Sequence, residues 1–174
     1  MQTIELKTKR LLLRPFNEGD LEAFHNNWAN NPNVTKYLTW PCHKDLETTR
    51  MVLDMFIKGY SNGEYNWAIV PDEVGEPIGN ISVVNYEESY LELGYCIGEE
   101  YWNRGYTTEA LEMVIKYLFS KGYKRLICKH DLNNPQSGRV MKKCGMRYYG
   151  NDYATSNQGK VLCACYEIIN KSWA

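Results

Sequence analysis

The chain is expected to fold as an α+β domain. A mixed, mostly antiparallel twisted sheet of about seven strands is flanked by helices, with one central parallel strand–helix–strand unit. Three observations predict this. Residues 17–30, 45–60 and 107–121 carry helical patterning, whereas residues 65–71, 77–86 and 90–98 read as strands. Short links join those three strands, which marks an antiparallel meander. A helix then separates the strand over residues 91–97 from a strand over residues 124–131. That connection is long enough for a crossover, so the two strands run parallel with a right-handed connection.

Composition sets the bounds. The 174 residues suit one domain with a proper core, taken as residues 1–174, and 44% are hydrophobic. The net charge of −1 and the lack of a basic block give no reason to expect a nucleic-acid partner. No apolar run approaches the roughly 20 residues of a membrane helix. The opening MQTIELKTKR has no apolar core of a signal peptide, so a cytoplasmic protein is expected. Four of the six cysteines sit in or beside apolar runs (GYCIG, LICKH, LCACY), which favours reduced thiols packed like small core residues. The cysteine pairs of a zinc site are missing, so no metal is expected.

The elements follow in order. LKTKRLLLRPF over residues 6–16 is a first strand closed by Pro15. A helix over residues 17–30 has Asp20 as candidate cap and Leu21, Phe24 and Trp28 on one face. The Asn- and Pro-rich stretch that follows, with Tyr37 and Trp40, is a loop with one helical turn at most. A second helix, residues 45–60, takes Met51, Val52, Met55, Phe56 and Ile57 as its apolar side. After the meander and the helix ended by Gly122 comes the strand over residues 124–131. A short helix follows with Pro135 in its first turn and Gly145 just past its end. Residues 146–154 and 161–169 are closing strands around a Ser-Asn-Gln-Gly turn. No repeat or linker divides the chain.

The segment YWNRGYTTEALEMVIKYL raises the functional question. A helix that starts outside the carboxyl end of a parallel strand sits where α/β sheets place ligands. Its free N–H groups and partial positive charge suit an anion. Gly105 allows close backbone approach, Thr107 and Thr108 add hydroxyls, and Arg104 adds a charge. A glycine and a threonine before a helix are also ordinary turn chemistry. The spacing matches neither a P-loop nor the Gly-x-Gly-x-x-Gly dinucleotide turn.

Several motifs in one order resemble a known family. LELGYCIGEEYWNRGYTTEAL is similar to the donor-binding segment of the GNAT acyltransferase superfamily, most closely its RimJ/RimL-like branch of ribosomal-protein N-acetyltransferases. DLNNPQSGRVMKKCGM resembles the second signature of that family, and TKRLLLRPFNEGDLEAF its first strand and helix. Two positions depart from the pattern: Thr107 stands for an alanine and Met146 for a phenylalanine.

The resemblance implies acetyl-coenzyme A as donor and an amine as acceptor. The diphosphate would lie on backbone N–H groups of Arg104, Gly105, Tyr106, Thr107 and Thr108. The pantetheine arm would run along Tyr95, Cys96 and Ile97, where the two parallel strands splay in this family, with Asn134 reaching it. Asn134 alternatively caps the helix after it.

Transfer requires the amine to lose a proton, and an α-amine (pKa about 8) or a lysine (about 10.4) is mostly charged at neutral pH. Glu92, on the face opposite Leu93, Tyr95 and Ile97, is the candidate base, directly or through a water. Its bland alternative is a polar residue on a half-exposed sheet. A strand N–H near Cys96 or Ile97 would meet the oxyanion. Ser137 is the nominee for the departing sulfur, with a tyrosine as the other option. Lys142 and Lys143 would touch an outer phosphate or be solvated. His25 and His130 are expected to be non-catalytic, and Cys96 is not a marked nucleophile.

Tyr37, Trp40 and Tyr153 are expected to wall the acceptor pocket. The acceptor is a protein N-terminal amine or a small-molecule amine. The apolar run over residues 161–169 fits either a core strand or the edge of a homodimer. The rival class is a coenzyme A-binding regulatory or scaffold module without catalysis.

Overall fold

A computed structural model describes residues 3–173, and the side chains of residues 3–172. The outermost ends of the expected 1–174 domain lie outside the described residues. Eight strands form one sheet: β1 (Leu6–Lys7), β2 (Leu11–Arg14), β3 (Asn66–Pro71), β4 (Gly79–Tyr86), β5 (Leu91–Ile97), β6 (Arg125–Asp131), β7 (Arg147–Ser156) and β8 (Gly159–Ile169), in the order β1-β2-β3-β4-β5-β6-β8-β7. Every neighbouring pair is antiparallel except β5 and β6. The eighth strand arises at the start. Residues 6–16 were expected as one strand, but Thr8 turns the chain, its N–H donating to the Leu11 carbonyl at 2.9 Å, and a short hairpin forms.

The helices are α1 (Leu21–Phe24), α2 (Pro32–Thr35), α3 (Leu46–Gly59), α4 (Tyr106–Ser120) and α5 (Pro135–Lys143). The first expected helix begins with a 3-10 turn and passes through α1 into one π turn, His25–Ala29. Asn17, not Asp20, supplies its cap. Asp20 reaches back to the Asn17 N–H as the other half of a capping box and forms a two-point ion pair with Arg14. On α3 the buried stripe runs through Thr49, Val52, Leu53 and Phe56, at helical spacing. Met51 and Met55 fall on the far side and are exposed, contrary to the expected apolar side.

Strand alternation divides the core in two. One face of the sheet gives Leu11, Leu13, Trp67, Ile69, Ile81, Leu93 and Leu126 to a core closed by Ala110, Leu111, Val114 and Leu118 of α4. The other face gives Ala68 and Val70 to a cluster of Phe16, Phe24, Trp28 and Leu53 from the α1–α3 layer. That second layer does not extend over β6, β7 and β8, whose residues are absent from its cluster. Half of one sheet face thus lies outside the helical cover.

The parallel pair is incomplete. β5 is in register with β6 only at Leu91, Glu92 and Leu93, although β5 continues to Ile97 and β6 to Asp131. From Gly94 onward the two strands diverge and the sheet is split at its centre.

Candidate functional site

The split has an unpaired strand on one wall. The Gly98 N–H donates to the Ile78 carbonyl of the β4 side at 2.8 Å. Since successive residues of a strand direct their backbone polar groups to opposite sides, Cys96 and Gly94 also address β4. Tyr95 and Ile97 address the missing stretch of β6. One of the four groups so exposed is capped: the Trp102 indole N–H donates to the Ile97 carbonyl at 2.9 Å. The Cys96 backbone is therefore committed to β4, and the Cys96 side chain packs with the α1–α3 cluster. Burial pushes its thiol up to about 12. Cys96 leaves the set of residues able to face the split, and of the Cys96 and Ile97 N–H groups only that of Ile97 is directed to it.

The start of α4 lies at the end of that strand. Gly105 is the N-cap residue with φ of +79°, and Asn103 also takes a left-handed φ of 61°. No side chain caps the helix, so the expected alternative of a threonine cap is not realised. The first intrahelical bond is from the Glu109 N–H to the Gly105 carbonyl, 3.1 Å. The N–H groups of Tyr106, Thr107 and Thr108 are left for an outside acceptor. The Tyr106 side chain is buried, and its hydroxyl donates to Glu73, so only its backbone can serve the site. A groove of about 470 Å³ adjoins this helix start, with Lys9, Gly105, Thr108, Glu112, Lys116 and Lys143 in its lining.

Across the split, α5 presents Asn134 and Ser137. Asn134 is the N-cap residue, yet its side chain makes no cap bond and is half-buried. The Tyr95 hydroxyl donates to the Ser137 carbonyl at 3.0 Å, which leaves the Ser137 hydroxyl, also at 3.0 Å, to donate to the tyrosine oxygen. A tyrosine of β5 thus stands against Ser137. Burial lifts the Tyr95 hydroxyl well above its ordinary pKa, so it remains a neutral donor.

Glu92 projects to the half of the other sheet face that lies outside the α1–α3 layer, where its side chain is largely buried. Lys129 of β6 stands 3.8 Å from its carboxylate and 3.7 Å from that of Asp152 of β7. Burial raises the Glu92 pKa, against Lys129 and a hydrogen bond from Asn85, which lower it. Trp40 packs against the α1–α3 cluster with its ring 5.0 Å from that of His43, and Tyr37 is half-buried on the same loop. One side chain pins that loop: the Asn157 amide, at the β7–β8 turn, lies 2.9, 2.7 and 3.0 Å from the carbonyls of Thr35, Leu38 and Trp40. Tyr153 is different. Asp152 and Tyr153 alternate, so Tyr153 faces away from the Glu92 patch, under the Lys160 ammonium at 4.4 Å. Tyr153 does not belong to that wall.

Sequence reasoning missed Lys129, Asp152 and Asn157, whose partners are distant in the chain, and the indole of Trp102, which folds back on Ile97 five residues before it. His25 is not a plain surface residue: its Nδ1 and that of His43 both meet the Thr49 hydroxyl, at 2.7 and 2.9 Å. His130 pairs with the backbone carbonyl of Asp131 at 2.8 Å and packs under Gly138. Among the described residues, no three His, Cys, Asp or Glu side chains are grouped to hold a metal ion, and the six cysteines are free thiols.

Comparison with known proteins agrees with this architecture. Residues 10–147 match the family model described as Acetyltransferase (GNAT) domain. The "Uncharacterized N-acetyltransferase YnaD" of Bacillus subtilis (strain 168) is 33% identical over 84% of this chain and 85% of its own length. The solved acetyltransferase (GNAT family) from Bacillus anthracis superposes with a TM-score of 0.83 at 27% identity, covering 95% of this chain and 98% of that one. RimL, the ribosomal L7/L12 alpha-N-protein acetyltransferase solved in complex with coenzyme A, superposes at 0.84 with 20% identity, over 95% and 98% of the two chains, which bears on fold alone. With its split parallel pair, uncapped helix start and matching family model, this chain belongs to the GNAT acetyltransferase family and is an acyltransferase.

Proposed function

We propose that the chain moves an acetyl group from acetyl-coenzyme A to the primary amine of a RimJ/RimL-type acceptor, a protein N-terminus, or to that of a small molecule. One observation carries this reading. The unpaired backbone of Tyr95 and Ile97 runs directly to a helix start with three free N–H groups, so a single extended ligand bearing amides and a diphosphate can engage both.

The residues present fit that donor. The backbone N–H groups of residues 104–108 hold the diphosphate. Tyr95 and Ile97 pair with the arm's amides, and Asn134 adds a side-chain contact. The donor supplies an acyl group already activated as a thioester. The Ile97 N–H is the protein's donor to the carbonyl oxygen as it gains charge. The Ser137 hydroxyl rotates its one hydrogen from the Tyr95 oxygen to the departing sulfur; a serine hydroxyl is a far weaker acid than a thiol and does not need to give up its proton. Glu92 takes the amine proton, directly or through one water. Its raised pKa makes it a better base than an ordinary carboxylate. The amine would enter from the Glu92 side and the donor from the α4–α5 side, so the two reactants meet through the split.

The test is an acetylation screen of N-terminal peptides against small amines, read by release of free thiol. Turnover with one class and not the other fixes the acceptor. If coenzyme A binds but no amine in a broad panel releases thiol, the chain is instead a coenzyme A-binding module without catalysis.

A further inference from the structure

A carboxylate stands where the proposed anion site should not tolerate one. Glu109 is in the first turn of α4, beside the free N–H groups, and its side chain is largely buried. Burial pushes its pKa up, but hydrogen bonds from the Thr8 hydroxyl (2.7 Å), the Arg10 N–H (2.8 Å) and the Arg10 Nε (2.7 Å) outweigh that and hold it low, so it is ionised. A bare negative charge there would repel a diphosphate. Arg10 neutralises it. The same guanidinium donates through Nη1 to the Arg104 carbonyl at 2.9 Å and lies over the Tyr106 ring, 4.6 Å from its centroid. Its Nη2 is 3.3 Å from where a side chain on Gly105 would begin.

The contact with Arg104 fixes a direction. In a trans peptide the C=O and the following N–H point opposite ways. By drawing the Arg104 carbonyl toward the β1–β2 turn, Arg10 turns the Gly105 N–H outward. Two residues of this turn, Asn103 and Gly105, adopt positive φ, a conformation that a non-glycine residue holds only when its surroundings enforce it.

Resting on the donor reading above, we infer that Arg10 is a positioning residue for the diphosphate loop: it cancels the Glu109 charge and sets the peptide between Arg104 and Gly105 with its N–H toward the ligand. Arg10 acts from the turn between β1 and β2, on the other side of the loop from the reacting atoms, and bears on donor affinity rather than on the acyl-transfer step.

Calorimetric titration with coenzyme A and ligand-observed NMR titration with pantetheine, which lacks the diphosphate, test this on the full chain. Arg10→Lys keeps a charge but cannot bridge Glu109 and Arg104 together. It is expected to raise the Kd for coenzyme A about tenfold and to leave pantetheine within twofold. Arg10→Met is expected to weaken coenzyme A further, and Arg10→Met combined with Glu109→Gln to recover part of that loss, because the repelling charge is gone. Coenzyme A affinity within threefold of wild type in both single variants would overturn the inference. So would an equal loss for pantetheine, which would show general collapse of the site. Failure of the wild-type chain to bind coenzyme A would overturn the donor reading itself, and the role of Arg10 with it. Should Arg10→Met not fold, Arg10→Lys alone decides.

Discussion

Glu92 shows how much one residue's environment adds to its identity. Its position on β5 and its face were legible, because alternation from Leu91 and Leu93 leaves no other choice. Its partners were not. Lys129 and Asp152 arrive from β6 and β7, and only the sheet order brings the Lys129 ammonium within 4 Å of both carboxylates. The direction of the shift carries two consequences. A carboxylate whose folded pKa is raised costs the native state stability once it ionises, from above the unfolded value of about 4.5 upward. Glu92→Gln removes that cost while it orphans part of the Lys129 pairing, so its Tm at pH 7 is expected within a few degrees of wild type. Turnover should fall about 10²–10⁴-fold, the usual contribution of a general base. The acid limb of the kcat/KM profile, expected above pH 4.5, should vanish in the variant. A stable variant with an unchanged profile would remove Glu92 as the base.

At the scale of elements, the helices and the meander were readable from period and punctuation, whereas the latches between elements were not. Nothing in NNPNVTKYLTW marks it as held by a residue more than a hundred positions away, yet Asn157 closes on three of its carbonyls. An amide has two hydrogens for three acceptors, so one is shared. The Asn157 backbone N–H adds a fourth bond, to the Leu38 carbonyl at 3.0 Å. This tip of the β7–β8 hairpin therefore sets the height of Trp40 above the sheet. Asn157→Asp puts a carboxylate against those carbonyls and replaces attraction by repulsion. A loss of about 1–3 kcal/mol is expected from the unsatisfied groups. Amide exchange at residues 35–40 should accelerate, and KM for the acceptor should rise more than KM for the donor. Equal changes in both would count against this loop as an acceptor wall. The same limit explains Tyr153: its aromatic character was visible, but its face depended on the register with Leu162 of β8.

For the molecule as a whole, the sheet behaves as two halves joined through three register pairs of β5 and β6, with α4 packed behind the seam. The α+β class and the parallel unit were legible because crossover length alone dictates them. The divergence after Leu93 was not readable from composition or period, since β5 keeps its alternation past it and the polar Lys129-His130-Asp131 end of β6 reads as an ordinary strand end; only the resemblance to the family implied it. A ligand laid along Tyr95 and Ile97 would stand in for the missing strand and tie the halves together. Coenzyme A at 100 times its Kd should stabilise the fold by about 2.7 kcal/mol. At about 2–4 °C per kcal/mol for a chain of this size, Tm should rise by roughly 5–10 °C. Because the ligand's amides would engage one strand edge, hydrogen exchange should slow most at the Tyr95 and Ile97 amides and at residues 105–108. Cys96, which already addresses β4, should change little. Stabilisation accompanied by uniform protection, with no contrast between Cys96 and its two neighbours, would mean that the ligand sits elsewhere and that the split is only an irregularity of the sheet.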